Sequence, residues 1–321
     1  MRVLMMGLLA GVLVPGAASA QSGAPVAQDG SPRDATPQDK PAQAGSPQAA
    51  SAAQAAAAAT DPIVVTARPL PTKQDIRSMI RSITPSSPSG EPLPRFHDTV
   101  CFGSIGLDRP TLIALGDRLA SDAEEAGLKL GGARCTPNIL VFFVDGIDAE
   151  VDSLVKRKWW IFGDRTPEEI RTITRERGPV RAWSTSETRS RDGDRINNEG
   201  FLRVSTASRV VSPIRKDMLA SIVLIERSAV VGKTPNQVAD YVAMRTLAGV
   251  RPPQIGGKET ILALFEPGAA TAPAELTAFD RSYLRGLYAG PANTFSWSTQ
   301  GQIARQVLKE KEAETAPGGK R

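Results

Sequence analysis

Apolar residues fall three or four apart in KQDIRSMIRSI, residues 73–83, where Ile76, Met79, Ile80 and Ile83 share one helical face. This spacing predicts a short amphipathic helix that docks on a core, and the prolines of 85–94 then break regular structure. A second helical period runs through DRPTLIALGDRLASDAEEAG, with Leu112, Leu115, Leu119 and Ala123 on one stripe. Asp108 is placed to cap it, Pro110 sits in its first turn and Gly127 stops it. The helix lies between DTVCFGSIGL and the unbroken apolar run 139–144, which reads as a strand buried on both faces. Together they predict a strand-helix-strand unit.

Downstream, 149–158 reads as a helix through Val151, Leu154 and Val155. Trp159, Trp160, Ile161 and Phe162 follow as a bulky cluster expected to pack beneath a loop, with a sugar platform as the alternative. Thr166-Pro-Glu-Glu169 has the form of a capping box opening a helix to about Arg177. Residues 180–190, 202–211 and 218–226 read as strands between turns containing Asp, Gly and Pro. Gly232 then leads into KTPNQVADYVAMRTLAGV, 233–250, a helix capped by Thr234 or Asn236. Its Val238, Ala239, Val242, Ala243 and Leu247 form a small-residue stripe suited to close approach on a sheet, and Asp240 and Tyr241 are expected on its exposed side. The fold class this order predicts is α+β, a single mixed-sheet domain with packed helices over 99–290. An extended segment and short helix (61–98) precede it, and a C-terminal helix and charged tail (291–321) follow.

The first 60 residues lack such patterning. Arg2, the apolar run 3–14 and Ala18-Ser19-Ala20 have the anatomy of a secretory signal peptide over 1–20. Residues 21–60 are nearly all Ala, Gln, Pro, Ser, Gly and Asp, a composition expected to form a disordered tether. The expected location is periplasmic or secreted. No later stretch reaches the ~20 apolar residues of a membrane helix, so no stable span is expected after signal removal. In an oxidising compartment Cys101 and Cys135, the only cysteines, are expected to form a disulfide tying the neighbouring ends of the first two strands. The net charge of +5 is modest, no nucleic-acid partner is expected, and the arginines of 165–215 read as a solvated charged face.

The succession of a helix, a buried strand, further strands and a last strand turning through glycine into a helix resembles the catalytic domain of metzincin-like zinc metalloproteases. LTAFDRSYLRGLYAG strengthens the resemblance, being similar to the closing S-x-x-D-x-x-x-L-x-x-L-Y helix, with Thr277 at the cap, Asp280 at the acidic position and Leu284, Leu287 and Tyr288 toward the core. In that family the glycine-preceded helix carries H-E-x-x-H-x-x-G-x-x-H, whose histidines bind zinc and whose glutamate polarises the bound water. Here one register puts Asp240 and Met244 at the first two ligand positions, and another puts Ala239 and Ala243 there. Neither supplies ligands, and the sole histidine, His97, precedes the first strand. The resemblance therefore implies a degenerate protease scaffold with a filled or narrowed cleft, no metal, no cofactor and no catalytic residues.

Three functional classes stay open. The first is a non-catalytic envelope protein that binds a partner, either an envelope protein or a cell-wall polymer. The second is a hydrolase of peptide or cell-wall polymer with an unrecognised site, for which Asp145 and Glu226 at strand ends are the candidate carboxylate pair. The third is an accessory of an outer-membrane transport system. DPIVVTAR, 61–68, is similar to the TonB box of TonB-dependent receptors, and makes Ile63, Val64, Val65, Thr66 and Ala67 candidate partner-binding residues. VGKT at 231–234 lacks the first glycine of a phosphate loop, Arg227 standing in its place.

Overall fold

Helix α1 (Lys73–Ile83) starts at Thr72, whose hydroxyl accepts the Asp75 N–H while the Asp75 carboxylate accepts that of Thr72. The apolar face read from the sequence is the one it buries, through Ile76, Ile80 and Ile83. The structure, a computed structural model, describes residues 72–87, 90–204, 211–253, 259–267 and 272–315. The signal peptide, the tether and the 63–67 segment fall outside these residues.

The strand-helix-strand unit is present as β1 (Phe102–Ile105), α2 (Arg109–Glu125) and β2 (Ile139–Val144), with β1 and β2 parallel. Asp108 accepts the Thr111 N–H at the start of α2, as its position before the apolar period predicts. Helix α3 (Ile147–Arg157) and α4 (Pro167–Thr174) then cross to β3 (Val180–Ser190) and β4 (Ile214–Glu226). The result is one mixed sheet in the order β1-β2-β4-β3, in which β4 runs parallel to β2 and β3 antiparallel to β4 along the edge.

Alternation along β2 decides which layers cover the sheet. Ile139, Val141 and Phe143 are buried in the main core with α2, while Leu140, Phe142 and Val144 are half-buried under the thinner layer of α3 and α4. Helix α5 (Pro235–Leu247) lies in the main core. Helix α6 (Ala278–Tyr288) and α7 (Ser296–Thr315) close this side, with α1 adding to the same core. Cys101 and Cys135 form the expected disulfide, with their Cα atoms 6.1 Å apart. It joins the start of β1 to the loop that enters β2.

Three expectations are corrected. Leu202, Arg203 and Val204 are not in a strand, and 205–210 lie outside the described residues. Trp159 and Trp160 are not packed beneath a loop: they are 67% and 54% exposed, held out on a 3-10 turn whose last residue, Phe162, is buried and stacked on Trp183. The arginines of 165–215 are not all solvated, since Arg181 and Arg189 are buried, Arg181 against Asp148 and Arg189 against Glu187 and Asp217.

Where α6 crosses α7, Gly286 permits the approach: a Cβ there would meet the Ile303 Cα at 2.8 Å. That atom is backbone and cannot swing aside. Gly286→Ala is expected to force the helices apart and lose about 1–3 kcal/mol of stability, read as a lower urea midpoint with an unchanged m-value.

Candidate functional site

Edge strand β3 stands beside a cleft of ≈ 1140 Å³, which opens among the end of α4, the first residues of β3, α5 and the segment after α5. The strand's outer edge is read from its pairing. Ser221 N–H is bonded to Asn138 on the β2 side, so its partner Ser184 turns its own peptide groups away from β4, and so do Ala182 and Val180. Arg165 donates to the Ser184 carbonyl at 3.2 and 2.8 Å, and Arg181 donates to that of Val180 at 3.0 Å. Ala182, between them, lines the cleft.

Helix α5 forms the cleft's inner wall. It begins with Gly232 at φ 78° and a capping box in which the Thr234 hydroxyl accepts the Gln237 N–H. Thr234, not Asn236, is the cap, and VGKT is thereby explained as a helix start, with Lys233 resting over the Phe265 ring. Every residue from Val238 to Leu247 is buried. Ala239, Ala243, Asp240 and Met244 all stand inside the protein, and none of them lines the cleft. Neither register read from the sequence is therefore the one that faces it.

The cleft-facing pair, one helical turn apart, is Tyr241 and Arg245. The Arg245 side chain is only 2% exposed and donates from Nη2 to Glu176 at 2.8 Å and from Nη1 to the Tyr241 hydroxyl at 3.1 Å. Its Nε has no acceptor among the described residues. Tyr241 packs edge-on against Phe265, and burial pushes its phenol up, so that it holds its proton at ordinary pH. Arg251 also lines the cleft. Tyr241, Arg245 and Arg251 thus occupy i, i+4 and i+10, the ligand spacing of H-E-x-x-H-x-x-G-x-x-H, with Gly249 one residue past the motif's glycine. Zinc does not fit this set, because a guanidinium stays protonated and offers no lone pair. Among the described residues, no three His, Cys, Asp or Glu side chains come together to hold a metal ion. The cleft is lined with cations, Arg171, Arg175, Arg177, Arg245 and Arg251 among them. Arg245 falling among Val242, Ala243, Met244 and Leu247 was the signal in the sequence; its partner Glu176, 69 residues away, had none.

Asp240 and Tyr241 were expected on an exposed side and both are buried. Asp240 accepts from Arg118 Nε at 2.6 Å and Nη2 at 3.0 Å, and from the Leu276 N–H. It thereby ties α5 to α2 and to the segment entering α6. Asp122, one turn along from Arg118, lies 3.3 Å from the same guanidinium. Burial, and after it the charge of Asp240, push Asp122 up to about 8 while Arg118 opposes the shift. The folded state then holds a proton that the unfolded chain, with its Asp near ~3.9, has already released at neutral pH. Stability from this group is present below the unfolded value and lost as pH rises toward and through 8. Wild type is expected to be more stable at pH 5.5 than at pH 8.5 by urea unfolding, and Asp122→Asn to flatten that difference.

Asp145 and Glu226 do not converge on the cleft. Glu226 accepts the N–H groups of Gly146 at 3.1 Å and Ile147 at 2.8 Å, capping α3, and Asp145 is paired with Arg227 at 3.0 Å. Both are engaged in local structure at adjacent strand ends. Glu226→Ala is expected to fray α3 and lose about 1 kcal/mol, checked by urea unfolding. His97 lies 3.5 Å from Asp217 and outside the cleft lining. At the end of α6 the Tyr288 hydroxyl donates to the Leu247 carbonyl at 2.7 Å, and at its start Thr277 and Asp280 form a capping box. No described helix is long and apolar enough to cross a membrane. Compared with family models, with curated proteins and with solved structures, the chain matches none.

Proposed function

We propose that this chain is an exported, non-catalytic binding protein built on a degenerate metzincin-like scaffold, and that its cleft receives a ligand rather than cleaving one. The observation that carries the reading is that Tyr241, Arg245 and Arg251 line the cleft at the i, i+4, i+10 spacing of the family's metal ligands. Arginine neither binds zinc nor gives up a proton at physiological pH, so these positions supply donors and positive charge in place of a Lewis acid or a base. The resemblance is supported by the succession β1, α2, β2, β3, β4 and α5, and by an α6 that begins with the Thr277 and Asp280 capping box. Export is supported by the amino-terminal composition and the Cys101–Cys135 disulfide.

The purified chain, grown with zinc in the medium, is expected to carry far less than one zinc per molecule and to leave unfolded casein intact. One tightly held zinc per chain, or casein cleavage that survives further purification and falls with Tyr241→Phe, would sink the proposal.

A further inference from the structure

Five of the side chains lining the cleft are arginines: Arg171, Arg175, Arg177, Arg245 and Arg251. Against them stand three glutamates, two of which are already spent, Glu176 on Arg245 and Glu168 on Arg171; Glu266 sits exposed at the rim. Arg175, Arg177 and Arg251 form no ion pair among the described residues. At the inner wall the buried Arg245 is held rigidly by Glu176, and its Nε donor is unused by the protein. The Tyr241 oxygen accepts from Arg245, which leaves its own O–H to donate. The wall is therefore rich in donors and poor in acceptors, and its inner groups are held in place by Glu176 and Phe265. Beside them, the edge of β3 turns the Ala182 peptide group outward, where an extended chain can pair with it.

Resting on the binding reading above, we propose that the cleft takes the free carboxylate of an extended peptide. The peptide backbone adds to the edge of β3 at Ala182, and its terminal carboxylate meets the Tyr241 hydroxyl and the Arg251 guanidinium. A planar carboxylate matches the two-pronged donor face of arginine, and the outer arginines draw it in. A carboxamide of the same shape keeps the strand pairing and loses the charge.

The test uses the intact purified chain and two pools of acetylated random hexapeptides, identical except that one ends in a free carboxylate and the other in a carboxamide. Peptides retained at equilibrium are quantified by mass spectrometry. The carboxylate pool is expected to be retained about tenfold better. Arg251→Gln is expected to remove that preference without shifting the melting temperature, since Arg251 is exposed and the backbone N–H it donates to Ile83 is untouched. Arg245 is left in place because its ion pair is buried. Equal retention of both pools, still sensitive to Arg251→Gln, overturns the carboxylate and leaves a binding cleft. Retention of neither pool overturns the proposal. If inorganic phosphate then raises the melting temperature of wild type more than that of Arg251→Gln, an anionic polymer takes the peptide's place. Shortened peptides would instead overturn the binding reading itself.

Discussion

Asp240→Ala is expected to destabilise the fold by about 3 kcal/mol, the low end of the range for breaking a buried ion pair by removing one partner. The carboxylate is fully buried, accepts two hydrogen bonds from Arg118 and a third from the Leu276 N–H, and so joins α2, α5 and the entry to α6. Alanine leaves the Leu276 N–H without its acceptor and Arg118 without its main counter-ion. The loss stays at the low end because Asp122, on the same guanidinium, is easier to ionise once the Asp240 charge is gone, although burial still holds it up. Urea unfolding checks the magnitude, and the pH dependence checks the cause. In Asp240→Ala the decline in stability between pH 5.5 and 8.5 should shrink, because Asp122 titrates lower. Asp240→Asn keeps an acceptor for Leu276 and is expected to lose less than alanine. A loss under 1 kcal/mol for alanine would show that packing alone holds the three elements.

Removing the disulfide has an effect of the same order for a different reason. Cys101 and Cys135 are 34 residues apart, and closing that loop in the unfolded chain is worth about 3 to 4 kcal/mol in the chain-entropy account. The folded side adds local fit, since Gly131 runs against Cys135 and donates its N–H to Val100 at 2.8 Å. The Cys101→Ser, Cys135→Ser double variant is expected to unfold at a correspondingly lower urea concentration and to be indifferent to reductant. Wild type should fall to the same stability when reduced. A loss below 1 kcal/mol would mean that the Val100–Leu130 bridge and the β1–β2 ladder hold this loop unaided.

Local pattern alone was enough for much of the fold. The capped starts at Asp108, Thr166 and Thr277 needed only a side chain and a backbone N–H three residues on, and the strands at 139–144 and 180–190 only their alternation or apolar run. The cysteine pair was legible because no other cysteine competed. Periodicity failed on α5, because it tells which residues share a face and not how many faces are covered. Sheet, α2 and the segment before α6 surround that helix, so Asp240 and Arg245 needed partners inside. Those partners, Arg118 and Glu176, lie 122 and 69 residues away in the chain. Trp159 and Trp160 failed in the opposite sense: bulk suggested burial, but Phe162 fills the available space and the 3-10 turn directs the tryptophans outward. By itself the sequence determined the helices, most strands and the disulfide, whose physics is local or rests on a pair without rivals. Only the tertiary structure decided that Tyr241, Arg245 and Arg251 face a cleft, because a side chain's exposure depends on everything packed around its element.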